Sequence, residues 1–268
     1  MGEGSFPEAG RMSAFFELSG VTKNFGGVQA VSKMTFSIAR GELAGLMGPN
    51  GAGKTTIFNL VTGVYDLDEG QIFFKEEDLA RLKTYQVTGR GIARTFQNLR
   101  LFQRSTVLEN VMTAAQHHVP YSFAEGMTHL GRWRSGEKKI REKSMALLER
   151  VGLADRAEQA AGTLPYGFQR RLEIARALAL DPELLLLDEP AAGMNAEEVS
   201  SLNVLIREIH RDFSLTILVI EHHMDLVMEI CPHIICMNFG AKIAEGTPDE
   251  IQNHPEVLKA YLGEEEVE

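Results

Sequence analysis

Apolar and polar positions first fall into a regular pattern at Phe15 to Thr22 (FFELSGVT), which predicts a strand. Met34 to Ile38 predicts a second. Arg40-Gly41 then turns the chain into Leu43 to Met47, a short apolar run bounded by glycines, as in a buried strand. A glycine-rich loop and a helical stretch from Thr55 follow, and Gln71 to Phe74 and Gly91 to Phe96 predict further strands. From about Val107 the period changes. Val107 to Gln116 predicts a helix. His118 to Ser135, with Pro120, Gly126 and Gly131, predicts a loop. Glu137 to Val151 places Ile140, Leu147, Leu148 and Val151 among charges, an amphipathic helix. Gln169 to Leu180 predicts a third helix, stopped by Asp181-Pro182. Strand and helix then alternate: Leu184 to Leu187, Ala196 to Arg211, Leu215 to Ile220 and His223 to Ile230. A hairpin of Ile234 to Met237 and Lys242 to Ala244 turns near Asn238-Phe239-Gly240. Such alternation predicts a mainly parallel, helix-covered sheet, with a helical insert at about 98–180 between its halves.

The 268 residues are 44% hydrophobic and 24% charged, an ordinary globular composition that excludes collagen and disorder. Residues 14–268 are expected to form one domain, preceded by a flexible tail, 1–13. That tail is polar and glycine-bearing and lacks the apolar stretch of a secretory signal, and Met12 offers a second start. The two cysteines, Cys231 and Cys236, make no CxxC pair, so a reducing compartment is expected. A net charge of −10 argues against non-specific binding to nucleic acid, and no apolar run is long enough to span a membrane.

Two motifs carry chemistry. Gly48-Pro49-Asn50-Gly51-Ala52-Gly53-Lys54-Thr55 matches G-x-x-x-x-G-K-[ST] between a predicted strand and a predicted helix. Glycines let backbone N–H groups turn towards phosphate oxygens, and the helix offers its positive end. Lys54 is placed for the β- and γ-phosphates and the Thr55 hydroxyl for Mg²⁺; Thr56 follows in the same turn. The second motif, Leu184 to Pro190, sets Asp188 and Glu189 at the end of a buried strand. A phosphate-loop ATPase needs an acid there for Mg²⁺, which fits Asp188, and a base for the attacking water, which fits Glu189. The His222-His223 pair has no ligand spacing for a metal, since adjacent side chains diverge.

With these motifs in order, the chain resembles the ATP-binding cassette family, the nucleotide-binding subunits of ABC transporters, from about Phe15 to Leu262. The resemblance implies a phosphate-loop α/β fold: a RecA-like core, an antiparallel β subdomain and the inserted helical subdomain. It implies that Phe25 stacks on adenine, that Gln97 senses Mg²⁺ and water, and that His222 is the switch histidine beside the γ-phosphate. Taken singly, Phe25 reads as core and Gln97 as surface; order and spacing carry the inference. The family's signature, usually LSGGQ, appears as Leu164-Pro165-Tyr166-Gly167-Phe168, followed by Gln169. Pro165 has neither the hydroxyl nor the N–H of the usual serine, while Gly167 remains. Asn195 stands where an aspartate is usual. These departures, with Arg94-Thr95-Phe96-Gln97 and Ile220-Glu221-His222-His223, look like the branch that serves branched-chain (hydrophobic) amino acid uptake. The resemblance implies ATP hydrolysis with Mg²⁺ in a head-to-tail sandwich with a sister cassette or a second copy. It also implies a membrane permease that holds the chain at the inner face of the cell membrane, and, indirectly, a solute-binding protein. A related importer of urea or amides, or a non-transport cassette ATPase, is the alternative.

Overall fold

The computed structural model describes residues 14–116, 133–222 and 224–265. The expected tail 1–13, most of the expected loop 118–135, and His223 lie outside the described residues.

A four-stranded antiparallel sheet forms first, in the order β2-β1-β4-β5: β1 (Phe16–Phe25), β2 (Val28–Ile38), β4 (Glu69–Phe74) and the two-residue β5 (Glu77–Asp78). The second sheet has six strands in the order β10-β9-β3-β8-β7-β6. These are β3 (Leu43–Met47), β6 (Ile92–Arg94), β7 (Leu184–Asp188), β8 (Thr216–Glu221), β9 (His233–Asn238) and β10 (Ala241–Gly246). Neighbours run parallel except in the β9–β10 hairpin.

Strands β3, β7 and β8 are buried at every position, which is why they read as continuous apolar runs rather than as alternation. Successive side chains enter opposite layers. Leu184, Leu186, Leu218 and Ile220 pack towards α1 (Lys54–Val61) and the antiparallel sheet. Leu185, Leu187, Ile217 and Val219 pack into the other layer. That layer holds α3 (Val107–Ala115), α4 (Trp133–Arg150), α5 (Tyr166–Leu178), α6 (Ala196–Asp212) and α7 (Met224–Ile230). A short α2 (Thr84–Gly89) leads into β6, and α8 (Pro248–Gln252) and α9 (Pro255–Glu265) follow β10.

Between β6 and β7 the described residues hold α3, α4, α5 and two single-turn 3₁₀ helices, with one isolated bridge, Thr106 to Ala160. The expected all-helical stretch is therefore opened by a non-helical segment, 98–106. Two helices also begin earlier than expected. Trp133 to Ser135, expected as loop, is the first turn of α4: Gly136 lies inside the helix at a cost of about 1 kcal/mol instead of ending it. Helix α5 begins at Tyr166 rather than Gln169 because the Pro165 carbonyl accepts from the Phe168 and Gln169 amides at 3.0 and 3.1 Å.

Candidate functional site

The phosphate loop runs from the end of β3 into α1, and two contacts demand its glycines. Gly53, the residue before α1, has φ 103°, and a Cβ there would collide with the Ala30 carbonyl. A Cβ on Gly48 would strike the Met237 carbonyl, because the β9–β10 turn packs on the loop. Gly240 in that turn donates to Ala52 O at 2.9 Å. Helix α1 has no side-chain cap and no acidic residue in its first turn, so its first amides are left for an anion. Lys54 is buried, and its Nζ donates to Gly48 O at 2.5 Å and Pro49 O at 2.8 Å. A cleft of about 320 Å³ over this loop is lined by residues 50–56 with Val28, Gln29, Ala30, Glu189, Phe239 and Gly240.

Strand β7 delivers the acids. Asp188, 1% exposed, is held by Arg94, whose guanidinium donates to Oδ2 at 2.6 Å. Burial pushes the Asp188 carboxyl above its ordinary range, and Arg94 opposes that. The other oxygen, Oδ1, is buried with no hydrogen-bond partner among the described residues. Glu189 takes a left-handed backbone, φ 45°, as its amide donates to Ile220 O at 2.9 Å. Such conformations cost about 1–3 kcal/mol and persist where the surroundings over-determine them. The Gln97 amide donates to Glu189 Oε2 at 2.7 Å, and His222 Nδ1 stands 3.6 Å from Oε1. Residues that are 92 and 33 positions apart in the chain thus converge on one carboxylate.

The remaining expected residues lie elsewhere. Phe25, 42% exposed, meets the ring of Tyr65 edge-on, with centroids 5.1 Å apart, and does not line the phosphate-loop cleft. Leu164 to Gln169 does not line that cleft either. Gly167 sits in the first turn of α5 beside Glu198, and Asn195 caps α6 by accepting from the Glu198 amide at 3.0 Å. A second hollow, of about 200 Å³, lies between these two helix starts, lined by Pro165, Gly167, Phe168 and Met194 among others.

Three features are not apparent from the sequence. Arg94 carried the one available signal, a cation inside a short apolar strand. It also donates to Asn59 Oδ1 at 2.7 Å and so ties α1 to β7. Phe239, 87% exposed at the hairpin tip, and Tyr65, beside Phe25, carried none.

Residues 31–192 match the family model described as ABC transporter, and residues 241–267 match the model described as branched-chain amino acid ATP-binding cassette transporter. The high-affinity branched-chain amino acid transport ATP-binding protein BraF of Pseudomonas aeruginosa is 43% identical over 92% of this chain and 97% of its own. LivG of Escherichia coli (strain K12), which carries the same description, is 42% identical with the same coverage. Among solved structures, the ADP conformation of MJ1267, an ATP-binding cassette of an ABC transporter, superposes with a TM-score of 0.81. Its identity is 29%, covering 93% of this chain and 99% of that one. A family model over more than half of the chain, and relatives above 40% identity along nine-tenths of it, place the chain in the ABC transporter family, as one of its ATP-binding cassettes.

Proposed function

We propose that the chain is the ATP-hydrolysing subunit of a membrane importer for branched-chain amino acids. The observation that carries the reading is the convergence of Gln97 and His222 on Glu189, which lines the phosphate-loop cleft. The similarity to BraF and LivG supplies the solute class. Glu189 accepts a proton from the attacking water, and Gln97 and His222 hold that carboxylate and the water in line. Lys54 and the first amides of α1 meet the phosphates. The residues present fit Mg²⁺: Asp188 keeps one buried oxygen with no hydrogen-bond partner among the described residues, and Thr55 supplies a hydroxyl at the start of α1. When bound, the ion offsets phosphate charge. Phe25 is assigned to the adenine, at the outer end of the site.

The Leu164–Gln169 segment of a companion cassette closes the site over the nucleotide. The stretch of about 98–180, with helices α3, α4 and α5, forms the subdomain that carries this segment. A groove of about 330 Å³, lined by Val64, Phe96, Arg100, Glu173 and Arg176 among others, receives a short helix of the permease. Among the described residues no helix is long and apolar enough to cross a membrane, so the permease holds the chain at the inner face of the membrane.

The test is reconstitution of the chain with its permease and companion cassette in vesicles. ATP-dependent uptake of leucine, isoleucine or valine is the expected result. ATP turnover driving uptake of urea or an amide instead overturns the solute. Absence of turnover in the complete assembly overturns the ATPase reading.

A further inference from the structure

Arg170 and Glu173 stand one turn apart on α5 and share a face. Their side chains are 2% and 6% exposed and pair at 3.2 Å. Arg170 donates to Phe96 O at 2.7 Å and to Gln97 O at 2.5 Å, and Glu173 Oε1 accepts from the Phe96 amide at 3.2 Å. One ion pair thus holds three backbone groups on two successive residues. Burial pushes the Glu173 carboxyl upward, against the Phe96 amide and Arg170. A buried ion pair is a poor source of stability, and an apolar pair fills the same space without the desolvation cost. What an apolar pair cannot do is grip the backbone at Gln97, whose side chain reaches Glu189.

We propose that Arg170 and Glu173 are positioning residues. They set Gln97 against Glu189, and so link the N-terminal turn of α5, which carries Tyr166-Gly167, to the carboxylate at the end of β7. The inference rests on the reading of Glu189 as the base for hydrolysis. Only a planar fork serves two carbonyls and a carboxylate together, so lysine is no substitute at position 170. Glu173 and Phe96 also line the groove assigned to the permease. A helix seated there meets Glu173, one member of the pair.

The experiment is a double-mutant cycle on the full chain, assembled with its permease and companion cassette. Arg170→Lys should lower kcat about tenfold or more while the Kd for Mg-ATP stays within about twofold. If Arg170 acts through Gln97, the variant Arg170→Lys with Gln97→Ala turns over no more slowly than Gln97→Ala alone. A double variant that multiplies the two losses overturns the proposal, as does an Arg170→Lys variant that weakens ATP binding as much as turnover. Should Arg170→Lys fail to fold in a thermal melt, Glu173→Gln, which keeps an acceptor for the Phe96 amide, takes its place in the cycle. Non-additive losses then support the link and multiplied losses overturn it. Glu189→Gln is the control: wild-type turnover there overturns the base assignment itself. An inactive Glu189→Gln with a multiplicative cycle overturns only the link through Arg170 and Glu173.

Discussion

At the end of the six-stranded sheet away from the phosphate loop, the imidazole of His233 bridges two carboxylates, with Nε2 3.0 Å from Glu245 Oε1 and Nδ1 2.5 Å from Glu42 Oε1. The bridge ties the starts of β3 and β9 to the end of β10. Hydrogen bonds to Glu245 and Glu42 raise the imidazole from 6.5 to about 9. Glu245 is held low by His233 and by Lys242, whose Nζ donates to it at 2.5 Å. Burial acts to raise Glu42, but His233 and the Ala39 amide bring it below its ordinary value. A raised imidazole contributes stability that is complete below the unfolded value of 6.5 and is lost as pH climbs through about 9. At 1.36 kcal/mol for each pH unit the ceiling is about 3 kcal/mol. Screening at the solvent edge of the cluster reduces this to about 1–2 kcal/mol. His233→Gln should therefore melt about 3–6 °C below the wild type at pH 6, with the gap narrowing from about pH 6.5 and closed once the pH has passed about 9. Parallel thermal melts of both proteins across that range make the measurement. A gap that stays constant or widens towards pH 10 refutes the reasoning.

Glu189→Gln should keep Mg-ATP binding, measured by calorimetry, and lose about 10²–10⁴-fold in turnover, as expected for a positioned base. Lys54→Ala removes charge-assisted contacts worth about 1.5–3 kcal/mol, so ATP affinity should fall about tenfold or more in the same titration with the melting curve preserved. Gly53→Ala should weaken ATP binding and lower stability together, by denaturant titration, since φ 103° and the Ala30 carbonyl both oppose a Cβ. Leu186→Ala, fully buried between sheet and α1, should cost about 2–5 kcal/mol in the same assay.

How much of the fold is legible in the chain follows from the range of the physics. LAGLM, LLLLD and TILVIE declare themselves because a strand buried on both faces is an unbroken apolar run. The two-residue β5 and the six-residue α2, with Val87 alone buried, leave no period to detect. Gly136 and Gly167 look like breakers, and each lies inside a helix because neighbouring contacts outweigh its propensity. In the site, the phosphate loop is local and so is legible whole. The grip of Arg94 on Asp188, across 94 positions, depends on β6 pairing with β7. No spacing rule encodes that pairing.

The same distinction explains how Pro165 can stand where the family keeps serine. Serine at that position offers a hydroxyl and an N–H; proline offers a carbonyl and a fixed φ. Here that carbonyl is used: it starts α5 by accepting the Phe168 and Gln169 amides, and Pro165 itself stays extended at φ −53° and ψ 152°. The Leu164 carbonyl is taken by the Gln169 side chain at 2.8 Å. The amides of Tyr166 and Gly167, the first two of the helix, are then the donors that point out of its end. Gly167 is buried against the start of α6, and a Cβ there would stand 2.9 Å from the Glu198 carboxylate, so glycine is what lets the two helix starts pack this closely. In the proposed sandwich, phosphate recognition by this segment therefore passes from a side-chain hydroxyl to two main-chain amides and the positive end of α5. Arg170 and Glu173, on the next turn of that helix, carry its position to Gln97.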